Sequence, residues 1–122
     1  MEMRKVLIVD DDMRFRRFAK ELFSPEEDLQ IIGEAADGQE AILMAKELEP
    51  DLVLMDISMP RMNGLDATQR LKKIMPELAI IILTIHDLDE YRQAAMTSGA
   101  SAYVLKKTIM KELIPAVRMT LS

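Results

Sequence analysis

The sequence predicts an α/β domain of (βα)5 form, with five parallel strands in one sheet and helices on both faces. Three observations carry that expectation. Five short apolar runs recur along the chain, at Lys5–Val9, Leu29–Ala35, Asp51–Met55, Ala79–Thr84 and Ala102–Leu105. Three of them contain the continuous stretches VLIV, LVLM and IIIL rather than alternating patterns, as expected of strands buried on both faces. The segments between them are of helical length and patterned at the helical period, and strand, helix, strand at this spacing implies parallel pairing through right-handed crossovers.

The elements follow in order. The first strand runs into Asp10-Asp11-Asp12, of which Asp12 suits the N-cap of a helix over Met13–Phe23. Phe15, Phe18, Ala19, Leu22 and Phe23 form the apolar stripe of that helix, and Ser24-Pro25 closes it. After the second strand, Asp37-Gly38-Gln39-Glu40 reads as an N-cap and capping box opening the second helix. Asn63-Gly64 is a turn before the third helix, Pro76 follows its end, and Gly99 terminates the fourth. Thr108 is expected to cap the fifth helix, whose stripe is Ile109, Leu113, Ala116, Val117 and Leu121. Pro115 lies inside that helix, where it removes a backbone donor and is expected to kink it.

Composition bounds the function. The 122 residues are 49% hydrophobic and 30% charged with only 4 Gly and 5 Pro, which suits one folded domain and not a disordered chain. Zero Cys excludes a disulfide scaffold, a thiolate metal site and a cysteine nucleophile, and one His excludes a multi-histidine metal centre. A net charge of −5 argues against nucleic-acid binding by this domain itself. Arg4 and Lys5 precede an apolar run too short for a signal-peptide core, and no stretch approaches the ~20 residues that span a bilayer. The expected location is the cytoplasm, away from the membrane.

Open α/β sheets bind ligands at the carboxyl ends of strands where the winding reverses; for the strand order 2-1-3-4-5 that point lies between the first and third strands. Those two strands end in Asp10-Asp11-Asp12 and in Asp56. Carboxylates within ~5 Å repel by roughly 3 kcal/mol per pair at an effective dielectric near 20, so the cluster should hold a cation or raise its own pKa values. With only oxygen ligands on offer the cation is a hard one, and Mg²⁺ keeping several waters fits. Thr84 ends the fourth strand, a hydroxyl able to donate to a phosphoryl oxygen. Lys106 follows the fifth, an ammonium able to neutralise one.

These residues carry a resemblance. Val6-Leu7-Ile8-Val9-Asp10-Asp11, then Asp51 through Pro60 with Met62-Asn63-Gly64, then Leu83-Thr84, then Tyr103-Val104-Leu105-Lys106 resemble, over essentially the whole chain, the receiver domains of two-component response regulators. Thr84-Ile85-His86-Asp87 and Gly99-Ala100-Ser101-Ala102-Tyr103 are most similar to receivers that precede a LuxR-type helix-turn-helix. The resemblance implies the flavodoxin-like receiver fold and a single receiver domain over residues 1–122, with its effector domain absent from this chain. It implies Asp56 as the phosphoacceptor, taking a phosphoryl group from a sensor histidine kinase. Mg²⁺ would lie on Asp11, Asp56 and the Ser58 carbonyl, with Asp10 acting mostly through water. Lys106 would pair with Asp56, Thr84 would move to the phosphoryl group, and Tyr103 would rotate inward behind it.

The same resemblance implies a phosphorylation-driven homodimer through the fourth helix, fifth strand and fifth helix. Lys107, Lys111 and Arg118 against Asp87, Asp89 and Glu90 would offer complementary rim charges there. DNA would be bound only through a helix-turn-helix domain. Departures from the family pattern are Lys107 where Pro often stands, leaving the isomer of the Lys106–Lys107 peptide open, and Ile85, large enough to restrict the site. Ser58 and His86 occupy positions that influence the lifetime of the acyl phosphate. Two other functions compete. A Mg²⁺-dependent phosphohydrolase with an Asp nucleophile would use Asp10-Asp11-Asp12, but Arg14 stands where haloacid-dehalogenase-like enzymes want Thr or Val. A phosphorylation-independent binding module would be expected to have lost an Asp or the Lys, and none is lost.

Overall fold

In the computed structural model, which describes residues 2–122, the apolar runs become strands and the patterned segments become helices. The order is β1 (Arg4–Val9), α1 (Met13–Phe23), β2 (Leu29–Ala35), α2 (Gly38–Leu48), β3 (Leu52–Met55), α3 (Gly64–Ile74), β4 (Ala79–Thr84), α4 (Asp89–Ser98), β5 (Ala102–Leu105), a 3₁₀ turn (Lys106–Thr108) and α5 (Ile109–Leu121). All five strands are parallel, as the sequence predicts, and their order is β2-β1-β3-β4-β5, as the receiver resemblance implies. Asp51 stands just outside β3 because its carboxylate, as well as its backbone, bonds to Lys5: the Lys5 N–H donates to Asp51 Oδ2 at 2.7 Å.

Alternate strand residues serve two cores. Leu7, Val9, Val53, Met55, Ile80 and Ile82 face α2, α3 and α4, where Ala41, Ala45, Ala67 and Ala95 let the helices approach closely. Ile8, Leu54, Ile81 and Leu83 face α1 and α5, meeting Phe23, Leu113 and Val117. With both faces covered, the central strands need no polar alternation, which explains the continuous runs. Of the helices, α4 is the least anchored: Ala95 is its one buried residue and no side chain caps its N-terminus.

Most local signals act as expected. Asp12 accepts the Arg14 N–H, Asn63 accepts the Asp66 N–H, and Gly99 ends α4 at φ 109. Three differ. Only half of the capping box forms: Asp37 accepts the Glu40 N–H at 2.9 Å, while its second oxygen is taken by Arg61. Thr108 occupies the cap position of α5 but makes no capping bond: it is the last residue of the 3₁₀ turn, and its hydroxyl donates to Glu112 Oε1 instead. Finally, α5 continues unbroken through Pro115, which is an exposed residue of the helix. Among the described residues every peptide bond is trans, including Lys106–Lys107, where no proline relaxes the trans preference.

Candidate functional site

Val9 pairs with Met55, so the residues after each strand, Asp10 and Asp56, leave the sheet side by side. Backbone bonds fix both: Asp56 N–H donates to Val9 O and Asp10 N–H to Ala35 O, each at 3.0 Å. Asp10 and Asp56 are buried while Asp11 stands at the exposed mouth, and one oxygen from each of the three lies within 4.8 Å of the others. Asp10 is further held by the Asp12 N–H on its Oδ1 at 2.9 Å and by Arg16 donating to its carbonyl. Three hard carboxylate oxygens converging with one neighbouring ammonium leave an excess of negative charge, a donor set that fits a small divalent cation such as Mg²⁺.

Lys106 closes the site from β5. Its Nζ donates to Asp10 Oδ2 at 2.6 Å and lies 3.8 Å from Asp56 Oδ1, over the Phe15 ring at 4.1 Å. The expected pairing of Lys106 with Asp56 is therefore the weaker of two. Asp10 is the more deeply buried carboxylate and takes the shorter bond, because an unpaired buried charge is the costlier one. Phe15 is a contact that sequence reasoning misses; its stripe position on α1 is its only signal.

Burial, reinforced by the Asp10 charge and offset in part by Lys106, pushes the Asp56 carboxyl up to about 7. A carboxyl that holds its proton more tightly folded than unfolded stabilises the fold below its unfolded value. That contribution is lost as pH rises through about 7. Without divalent metal the protein should be more stable near pH 5.5 than near pH 8, by about 2 kcal/mol. Asp28, Glu34 and Asp37, whose pKa values are lowered, titrate at more acid pH and do not oppose this. Urea titrations in chelator at the two pH values check it; equal midpoints would contradict the raised value.

The other predicted residues gather around His86, which links more of the site than its place in the sequence suggests. Its N–H donates to the buried Thr84 Oγ1 at 3.2 Å, its carbonyl accepts the Tyr103 hydroxyl at 2.6 Å, and its Nε2 shares a 2.9 Å hydrogen bond with Ser58 Oγ. Tyr91 stacks on its ring at 4.5 Å, and Arg92 lies over the Tyr103 ring. One residue thus ties the β3–α3 connection, the end of β4, the start of α4 and β5 together. Ile85, directly after Thr84, is 73% exposed.

The expected rim charges are partly consumed within the chain. Lys107 pairs with Asp87 at 3.0 Å, and Arg118, in the last turn of α5, binds Glu26 and Asp28. Neither is visible in sequence because both pairings are tertiary. Lys111, Asp89 and Glu90 are exposed and make no ion pair among the described residues.

Comparison with known proteins agrees with this arrangement. The family profile of the response regulator receiver domain matches residues 6–118. The chain is 42% identical over 118 residues to response regulator protein VraR of Staphylococcus aureus, covering 95% of this chain and 56% of that protein. It therefore spans about half the length of the curated relatives it matches. Among solved structures it resembles a LuxR-family two-component response regulator from Aurantimonas sp. SI85-9A1, with TM-score 0.94 and 30% identity over 98% of this chain and 86% of that one. A LuxR-family DNA-binding response regulator from Staphylococcus aureus superposes with TM-score 0.91 and 26% identity, over 98% of this chain and 100% of that one. A family profile spanning nearly the whole chain, on a sheet whose two central strands end in facing carboxylates, leads to one assignment: the chain belongs to the response regulator receiver domains of two-component signalling.

Proposed function

We propose that Asp56 is the nucleophile of a phosphorylation-controlled switch. The observation that carries this is a buried carboxylate flanked by Asp10, Asp11 and the Lys106 ammonium at the reversal point of the sheet. In the reaction an Asp56 oxygen bonds to phosphorus as the P–N bond to a phosphohistidine of a sensor histidine kinase breaks, and the imidazole leaves with the bonding pair. A carboxylate needs no general base for this; its handicap is the approach of anion to anion, so the work is positioning and charge neutralisation.

Asp11, Asp56 and the Ser58 carbonyl would hold Mg²⁺ directly, with Asp10 acting through water. Bound there, the ion supplies charge neutralisation at the phosphoryl oxygens. Lys106, already within 3.8 Å of Asp56, supplies a second positive charge from the chain itself. Thr84 Oγ1 accepts the His86 N–H in this structure, which leaves its proton free for a phosphoryl oxygen. Movement of Thr84 toward that oxygen draws on His86, and through it on Tyr103 and the thinly anchored α4.

The switched surface is then α4, β5 and α5, through which the domain forms a homodimer on phosphorylation. Residues 1–122 act as one receiver domain controlling a C-terminal DNA-binding domain, by analogy with the LuxR-family relatives, and bind no nucleic acid themselves. The chain is a signalling module that catalyses only its own phosphorylation and dephosphorylation. The cytoplasm is the compartment that suits a histidine kinase partner, and among the described residues no helix is long and apolar enough to cross a membrane.

Incubation with acetyl phosphate and Mg²⁺, followed by intact mass, tests the reading. The expected result is a labile adduct of ~80 Da that disappears when chelator replaces metal; absence of an adduct in the presence of metal would overturn it. A further outcome concerns lifetime. The Ser58–His86 bond bridges the two loops beside Asp56 and would shield an acyl phosphate there from water. Ser58→Ala and His86→Ala should each shorten the half-life severalfold with the fold intact, and timed loss of label would reveal unchanged half-lives if the bridge were idle.

A further inference from the structure

The connection between β3 and α3 takes a strained path. Arg61 has φ 65, a left-handed backbone that few side-chain-bearing residues adopt. The Met62 N–H donates back to Pro60 O at 2.7 Å, closing a three-residue turn of the rarer hand around Arg61. From this turn the guanidinium crosses to the start of α2, where Nε at 2.8 Å and Nη2 both donate to Asp37 Oδ2. Asp37 is 2% exposed, and its other oxygen caps α2. Alongside, the Gly38 N–H donates to Met62 O at 3.1 Å, and a Cβ on Gly38 would stand 2.7 Å from that oxygen.

The ends of the connection are tied independently of Arg61. Gly64 N–H donates to Ile57 O at 2.8 Å, and Asn63 caps α3. The middle of the connection, around Arg61, is held to α2 by the ion pair together with the Gly38–Met62 bond, and the guanidinium is mostly exposed and outside both cores. A strained turn persists where its surroundings over-determine it, and here the surroundings are a buried acid with both oxygens engaged.

We infer that Asp37 and Arg61 form a clamp that fixes the β3–α3 connection, and are thereby positioning residues for metal binding and phosphoryl transfer at Asp56, although neither belongs to the site. The inference rests on the function proposed above. The clamp acts from the far side of the connection. Ile57 and the Ser58 hydroxyl are tied by Gly64 and His86, and the clamp fixes the chain that leaves Ser58 towards α3. Loosening it therefore frees the Ser58 carbonyl before it disturbs the fold.

Two variants separate these effects. Arg61→Gly removes the guanidinium and adopts φ 65 without strain, so its thermal stability should stay close to wild type. Asp37→Asn keeps the helix cap and removes the charge. Mg²⁺ titration of the unphosphorylated protein, by calorimetry, should give dissociation constants weaker by about tenfold in both, the usual effect of losing a partner that orients a ligand. The Mg²⁺ concentration for half-maximal labelling by acetyl phosphate should rise in parallel, with a smaller fall in the rate at saturating metal. Arg61→Lys should recover part of the affinity, and the double variant should be no worse than either single one, because the two residues act as a unit. Wild-type Mg²⁺ affinity in both single variants, or additive losses in the double, would overturn the clamp. If the wild-type protein failed to label at all, the proposed function would fall while the calorimetric constants still judged the clamp.

Discussion

Asp56→Ala is expected to abolish the covalent adduct and, in the absence of metal, to stabilise the protein at alkaline pH. Both effects have one cause. The Asp56 carboxylate is ionised against burial and against the Asp10 charge, which is why its pKa stands at about 7. Removing it would delete the proposed nucleophile and relieve that repulsion. Asp56→Asn keeps the shape of the side chain, so it isolates the charge. Near pH 8 in chelator it should be more stable than wild type by about 2–4 kcal/mol, and near pH 5 the difference should shrink as Asp56 protonates. Denaturation midpoints across pH measure this. A variant less stable than wild type at both pH values would mean that Asp56 contributes more by its bonds than it costs by its charge.

The largest loss of stability is expected at Gly64. A Cβ at this position would collide with Asp56 O and stand 2.8 Å from Asp56 C, both backbone atoms, with Met55 Cγ at 2.9 Å. Gly38 is also crowded, by the Met62 carbonyl at 2.7 Å and the Met62 Cβ and Cγ at 2.9 Å, but no atom there comes as close as Asp56 O does to Gly64. At Gly64 the obstacle is the backbone that carries Asp56, hydrogen-bonded at its N–H to Val9 and unable to retreat without breaking the β1–β3 pairing. Gly64→Ala should therefore cost roughly 3 kcal/mol or more and displace Asp56 from Lys106, so that the residual folded protein labels poorly. Calorimetric Tm and the labelling assay test the two halves. A variant within about 1 kcal/mol of wild type that labels normally would show that α3 can shift away from Asp56 without disturbing it.

Much of this site is legible in the amino-acid sequence. Continuous apolar runs mark strands covered on both faces, so the positions at or just past their ends, Asp10, Asp56, Thr84 and Lys106, read as one rim once the strand order is assumed. Asp12, Asn63 and Gly99 are legible because capping is a matter of a few adjacent residues. What escapes is tertiary. Nothing near Lys106 in sequence distinguishes Asp10 from Asp56 as its partner; relative burial decides that. Arg118 reads as a surface charge on α5, and only the approach of the α1–β2 connection reveals Glu26 and Asp28 beside it. The Asp37–Arg61 pair joins two loops through a backbone conformation that Arg rarely takes, so local propensity points away from it. Thr108 shows the opposite failure: a good capping residue in the right place, left without that role by a 3₁₀ turn.

The chemistry at Asp56 can be read directly. An acyl phosphate on an aspartate is reduced by borohydride to homoserine, whereas phosphate esters and phosphohistidine are not converted in this way. Protein labelled with acetyl phosphate and Mg²⁺, reduced and then mapped by peptide mass spectrometry, should carry homoserine in place of Asp56 and at no other aspartate. Homoserine at Asp10 or Asp11, or phosphate retained on His86 or a hydroxyl residue with Asp56 unmodified, would contradict the account.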